Sequence, residues 1–560
     1  MKKPFETSRA EVPLAGSETG MIRKSWHGRV RVALIYPNGY RVGMSNLGFQ
    51  AVYRLFNDQD DIVCERAFLP EYTAGERLRI TTLESRQPLH EFDIIAFSFS
   101  FENDYPNILT ILHLAGIPPA SIDRGDPLPL VIAGGVACML NPEPIADFVD
   151  CFFIGEAEVL IPSFIRAYRP ELGRRARLKQ LAQAAAGCYV PRFYQPSYTS
   201  DGLVSGFAPV EDVPASIRRL FVTDIGHSST QTAIHTAETV FNSSFLVEVS
   251  RGCPHSCRFC AASYVYRPYR YRSRVQLEQS LMQGLALTDT IGLVGAAVSD
   301  LPQLDGLCKT AFRYRMRLAF SSLRADRLSP GVLSALQQSG VKTATVAPDA
   351  GSQRMRNAIR KNIRESHILN AVSAFIDHDI PNIKLYFMVG LPTETGEDID
   401  AIVALCRSVK RRFLSASRSK ARIGEIVVGI NPFVPKPATP FQWAGMDDER
   451  RLKRKVRQIR KQLSSVANLK LQTASPRQAY LQSLFSRGDR RTSEIIMAGF
   501  HTGWNWAKAL GPYREEADAH VYRQRSFDEC LPWDFIDNGV PKIHLWHEWE
   551  RALSEANSEG

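Results

Sequence analysis

The sequence reads as an α/β protein of several domains, and three observations lead there. Apolar runs of strand length alternate with amphipathic helical stretches across residues 29–194, and the same rhythm returns across 241–446. Strands that are apolar throughout, rather than alternating, belong to parallel sheets covered on both faces. The third observation is a ten-residue stretch, Arg251-Gly-Cys-Pro-His-Ser-Cys-Arg-Phe-Cys260, directly after the strand-like run 245–249. With 560 residues there is room for about three domains. The expected architecture is an arm (1–28), a doubly wound Rossmann-like domain (29–194), a connector (195–240), a βα core (241–446) and a small, mostly helical C-terminal module (447–560).

Taken in order, residues 1–28 lack periodicity and form the arm. The first domain has strand runs at 30–36, 92–100, 129–135 and 149–155, with helical patterns at 47–56, 108–115 and 159–168. Loops at the carboxyl ends of such strands face ligands. They read Asn38-Gly39-Tyr40-Arg41-Val42-Gly43 after the first strand, Gly134-Gly135 after a later one, and Gly155-Glu156-Ala157-Glu158 after the last. Residues 187–194 close the unit as a strand or hairpin. Residues 195–240, rich in Ser, Thr, Pro and Gly, read as an extended connector. The core offers six strands, at 245–249, 290–293, 318–321, 343–347, 384–389 and 425–431.

Cys253, Cys257 and Cys260 can point three thiolates at one small volume on the loop leaving the first core strand. That suits a 4Fe–4S cluster, which with three ligands keeps one iron open. A zinc knuckle with His255 as fourth ligand competes, but His255 lies between the cysteines and no second Cys-x-x-Cys pair follows. The other seven cysteines are dispersed and read as buried thiols. A disulfide is disfavoured in a chain that otherwise looks cytoplasmic. Met1-Lys-Lys-Pro-Phe5 carries charge without an apolar stretch behind it, and no run approaches a membrane span, so neither a leader nor a membrane partner is expected.

The Cys-x-x-x-Cys-x-Phe-Cys pattern resembles the signature of the radical S-adenosylmethionine (SAM) superfamily. The resemblance implies a partial β/α (TIM-like) barrel core, a 4Fe–4S cluster and SAM as cofactors, and an electron donor of flavodoxin or ferredoxin type. It implies that Phe259 packs by the adenine. Gly295-Ala296-Ala297 stands where the family has Gly-Gly-Glu, leaving a backbone contact at Gly295 and no side-chain help. Asp349 and Gly351, after the fourth core strand, stand where relatives touch the ribose or methionine moiety; Asp349 reads equally well as the cap of the following helix. Gly390-Leu-Pro392-Thr-Glu394-Thr and the proline-rich 433–443 resemble further family phrases.

The first domain resembles the cobalamin-binding domain that precedes many such cores. On that resemblance Asn38, Tyr40, Gly43, Gly134, Gly135 and Gly155 form a cobalamin-like site. Asn38 and Tyr40 replace the family's Asp and His, and a phenol is a poor cobalt ligand, so any cobalamin would lack a lower ligand from the protein. The implied function is reductive cleavage of SAM in a methylase or rearrangement enzyme of unknown substrate.

Net charge is +11, with basic runs at 174–179, 410–412, 418–422 and 451–461. These read as solvated helix surface, or as a footprint for RNA. The alternative function is accordingly a non-catalytic iron–sulfur or zinc protein that binds RNA. The tail carries Trp504, Trp506, Trp533, Trp546 and Trp549, which read as the core of a small domain, or as a lid over the barrel mouth.

Overall fold

The computed structural model of the protein describes residues 18–70, 79–321, 323–418, 420 and 423–557. The first domain is built on β1 (Val30–Tyr36), β2 (Ile62–Phe68), β3 (Ile94–Ser98), β4 (Leu130–Gly134), β5 (Cys151–Phe153) and β6 (Cys188–Tyr189). They lie in the order β2-β1-β3-β4-β5-β6, parallel apart from the last pair. The order reverses between β1 and β3, which makes that crevice the topological switch point.

β2 was absent from the expected strands, and the reason is chemical. Glu65 and Arg66 interrupt its apolar run, yet both are buried because both are paired. Arg66 donates to Glu18 and Glu84 at 2.7 Å each, and Glu65 accepts from Trp26 and Thr82. The described part of the arm is packed down. Tyr53 accepts from the Ile22 N–H at 2.9 Å, and Lys24 donates to the carbonyls of Gln59 and Ile62 at 2.7 and 3.1 Å. Residues 1–17 of the expected arm lie outside the described residues.

In the core, β7 (Phe245–Glu248), β8 (Thr290–Val294) and β9 (Arg317–Phe320) form one parallel sheet. β10 (Thr343–Asp349), β11 (Asn382–Val389), β12 (Ile426–Pro432) and β13 (Leu469–Thr473) form another. Both sheets run in chain order. Along β11, buried Ile383, Leu385, Phe387 and Val389 alternate with half-exposed neighbours, so one face meets the helices and the other stays open.

β13 extends the parallel sheet beyond residue 446, within the mostly helical C-terminal segment; the polar Leu-Lys-Leu-Gln-Thr pattern marks a strand with one solvated face. The connector also holds a hairpin, Tyr194–Tyr198 against Val204–Pro209. Nor is the tail separate or a lid. Trp533 and Trp549 are buried in one cluster with Tyr264, Leu391, Phe441 and Trp443. Ile536–Asp537 pairs with Ile217–Arg218 of the connector, and Arg490 donates to Glu143 of the first domain.

Candidate metal and cofactor site

The cysteine loop leaves the C-terminal end of β7. Its neck is closed by an antiparallel pairing of Ser250–Arg251 with Arg270–Tyr271. Gly252 sits in that neck at φ +79°, and a Cβ there would lie 2.5 Å from the Tyr266 carbonyl oxygen, so glycine is required. Beyond it, the Cys260 N–H donates to the Cys257 carbonyl and the Ser263 N–H to the Cys260 carbonyl, both at 3.1 Å. The helix Ala262–Val265 follows. Cys257 is buried; Cys253 and Cys260 are half-buried.

Spacing separates a single metal ion from a cluster. Zinc–thiolate bonds of about 2.3 Å in a tetrahedron put sulfurs about 3.8 Å apart. Among the described residues, the only three His, Cys, Asp or Glu donor atoms within 4.8 Å of one another are those of Asp489, Glu516 and His520. Three thiolates on one short loop suit a cluster whose irons take one thiolate each. His255 is engaged elsewhere, its Nε2 lying 3.0 Å from Asp300 Oδ1.

Burial pushes the Cys257 thiol up to about 12 and raises that of Cys253. Bare thiolates are therefore disfavoured, and a bound cationic metal would stabilise them. Lys361 and Arg324 act on Cys257 as cations. Lys361 Nζ lies 2.6 Å from Asp349 Oδ2; burial opposes its charge, but Asp349 more than offsets this and holds the ammonium above its ordinary pKa. Near Cys253, Asp300 Oδ2 is buried without a hydrogen-bond partner, and the Tyr269 hydroxyl leans on Ser250. An orphaned buried carboxylate oxygen fits a polar, cationic ligand group there.

A cavity of about 660 Å³ joins this loop to the first domain. One end is walled by Leu34, Ala96, Ile132, Gly134, Gly135 and Gly155 at the carboxyl ends of β1 and β3–β5, under the helix Leu47–Asn57. The other is walled by Ser250, Gly252, Gly295 and Ser321 at the ends of β7–β9. Arg251 stands between them. It donates to Glu156 and Glu158 of the first domain at 2.8 Å and to Glu248 at 2.9 Å. Glu156 also takes Arg270 in a bidentate pair, at 2.7 and 3.0 Å. Burial works against its carboxylate, but Arg270 and Arg251 outweigh that and hold its pKa below the ordinary range.

Besides the three cysteines, which share one loop and do not themselves line the cavity, the structure brings together Gly134, Gly135, Gly155 and Gly295 of the expected residues, and not the others. Asn38 donates to Asp104 at 3.0 Å, and Tyr40 donates to Glu18, on the Arg66 side of the sheet. A Cβ on Gly43 would strike the Phe68 ring at 2.4 Å, so its role is packing. None of these three lines the cavity, because the helix they start turns the loop away from it. Phe259 packs against the tryptophan cluster. Asp349, at φ +63°, is not the helix cap: Ser352 is, accepting from the Met355 N–H. Gly351 is a packing glycine, where a Cβ would lie 2.2 Å from Ile402 N. Sequence reasoning missed Glu248, Asp300 and Lys361, and named Glu156 only as part of the loop 155–158, without its arginine partners. Arg267, Arg270 and Arg272 just after the cysteines were the available signal, and their partners lie in the chain itself.

Residues 247–406 match the model of the radical SAM superfamily, and residues 48–191 match that of the N-terminal region of radical SAM proteins. The chain belongs to the radical SAM superfamily, whose cofactors are a 4Fe–4S cluster and SAM. An uncharacterized protein of Methanocaldococcus jannaschii is 28% identical over 467 residues, covering 83% of this chain and 90% of its own. Among solved structures, the cobalamin-dependent SAM radical enzyme OxsB is 11% identical with a TM-score of 0.44, over 95% of this chain and 80% of that one. SuiB of Streptococcus suis bound to SAM is 15% identical with a TM-score of 0.30, over 41% and 50%. No helix among the described residues is long and apolar enough to cross a membrane.

Proposed function

We propose that the chain cleaves SAM reductively at a cluster held by Cys253, Cys257 and Cys260, and that the glycine-walled end of the cavity takes cobalamin. When bound and reduced, the cluster supplies the electron that breaks the sulfonium carbon–sulfur bond, leaving methionine and a 5′-deoxyadenosyl radical. The chain's own residues bind and orient. Asp300 offers an unpaired carboxylate oxygen near Cys253 for the ammonium of SAM, with the Ser250 and Tyr269 hydroxyls close by. The apolar cavity walls exclude water from a radical. Among the described residues no histidine lines the cavity, so a corrinoid there would be without a protein imidazole from them.

The observation that carries this reading is the cavity itself. It runs without interruption from the switch point of the first sheet to the neck of the cysteine loop. Two cofactors on one substrate path fit methyl transfer or rearrangement at an unactivated carbon. The test is anaerobic reconstitution with iron, sulfide and hydroxocobalamin, followed by dithionite and SAM. About four irons and one cobalt per chain, with 5′-deoxyadenosine formed, are expected. Iron without cobalt removes the cobalamin half of the reading; no 5′-deoxyadenosine from a loaded cluster removes the rest.

A further inference from the structure

The helix Glu449–Leu463 carries a stripe of positive charge that the fold leaves uncompensated. Its buried side is Leu452, Ile459 and Leu463, with Val456 packed beside them. Arg450, Arg454, Arg457 and Lys461 follow the spacing i, i+4, i+7, i+11 on the opposite side, all exposed. The acidic residues at the start of the helix serve other cations. Asp447 pairs with Lys455 and Arg451, Glu449 with Lys453, and Asp448 caps the helix. Among the described residues the four stripe cations have no carboxylate within 4.0 Å, nor do the exposed Arg411 and Arg412 of the helix packed beside them. Like charges at i, i+4 destabilise a helix, and among the described residues no carboxylate offsets that cost.

We infer that this stripe docks a single-stranded RNA through its phosphates. The stripe spans about 16 Å along the helix, at about 1.5 Å per residue, enough for several consecutive phosphates. It is mostly arginine, whose planar fork matches phosphate oxygens in pairs. It has no aromatic or apolar centre, which a protein-docking face of this size would need. The contacts are electrostatic and sequence-independent, and they stand apart from the cavity, so they do not depend on the reaction proposed above.

The test uses the full chain and a fluorescently labelled oligouridylate, with anisotropy read between about 50 and 200 mM salt. Each neutralised phosphate contributes about 0.7 to the slope of log affinity against log salt, so the four-residue stripe predicts a slope near −2.8. Arg454→Glu with Arg457→Glu should make it shallower by about 1.4 and weaken binding at least tenfold, while 5′-deoxyadenosine formation is unchanged. The charge-matched pair Arg54→Glu with Lys309→Glu, on other exposed surface, should leave the slope as it was. Equal losses in the two variants would overturn the inference, and so would no binding at the lowest salt. Competition by polyglutamate as effective as by unlabelled RNA would also overturn it, pointing to an acidic protein instead.

Discussion

Replacing Glu156 by Gln should loosen the cysteine loop from the first domain without touching a cysteine. The Glu156 side chain is 3% exposed and receives four donors: both terminal nitrogens of Arg270, one of Arg251, and the Val222 N–H. Removing one partner of a buried ion pair costs about 3–5 kcal/mol, because the other charge stays buried. Arg251 keeps Glu158 and Glu248, and glutamine still offers one oxygen, so the lower end applies. Arg270 keeps only carbonyl acceptors, at Pro268, Val222 and Tyr266. About 3 kcal/mol corresponds to a local opening equilibrium raised on the order of 100-fold. Hydrogen exchange of peptides covering residues 250–272 reads that directly, with β1 as internal reference. The carboxylate is held below its ordinary pKa, so its contribution is complete above the unfolded value near 4.3 and is lost only as pH falls through the lower folded one. Wild-type protection of the loop should therefore survive at pH 5, and the variant's loss should persist there. A change below about threefold would refute the claim that this carboxylate pins the loop.

Ala in place of Cys257 should abolish both the brown cluster absorbance and SAM cleavage; iron analysis of the reconstituted variant reads the first independently of the second. Gly135→Ala should destabilise the first domain by about 1–3 kcal/mol in thermal denaturation, since Gly135 sits at φ +105° and a Cβ would lie 2.2 Å from the Phe99 carbonyl oxygen. Burial raises Asp104 to about 6, so stability is lost as pH climbs from the unfolded value toward that figure. Asp104→Asn should restore up to about 3 kcal/mol at pH 8 and nothing near pH 3, as denaturant titrations at the two pH values would tell. Trp549→Ala should cost about 3–5 kcal/mol, and truncation after Leu471 should give insoluble protein rather than an uncoupled enzyme, because the tail is core. A soluble, cluster-loaded truncation would contradict that packing.

The sequence alone determined what depends on local pattern. Apolar strand runs and helical periodicity located β1, β3, β4, β5 and all six of the expected core strands, because period and turn chemistry are written within a few residues. The cysteine spacing named the superfamily for the same reason. The tertiary structure decided everything that depends on pairing across distance. Glu65 and Arg66 hid β2 because a buried charge is legible only once Glu18, Glu84 and Trp26 are known to reach it. Gly351 and Asp349 sit where the resemblance put them, yet one packs on a helix and the other on Lys361. The basic run at 451–461 read from the sequence as solvated helix surface or as a footprint for RNA, and Asp447, Asp448 and Glu449 lie beside it. The fold assigns those carboxylates to one flank and leaves the outer stripe of cations bare, since neutralisation requires contact within a few ångströms and composition carries no distances.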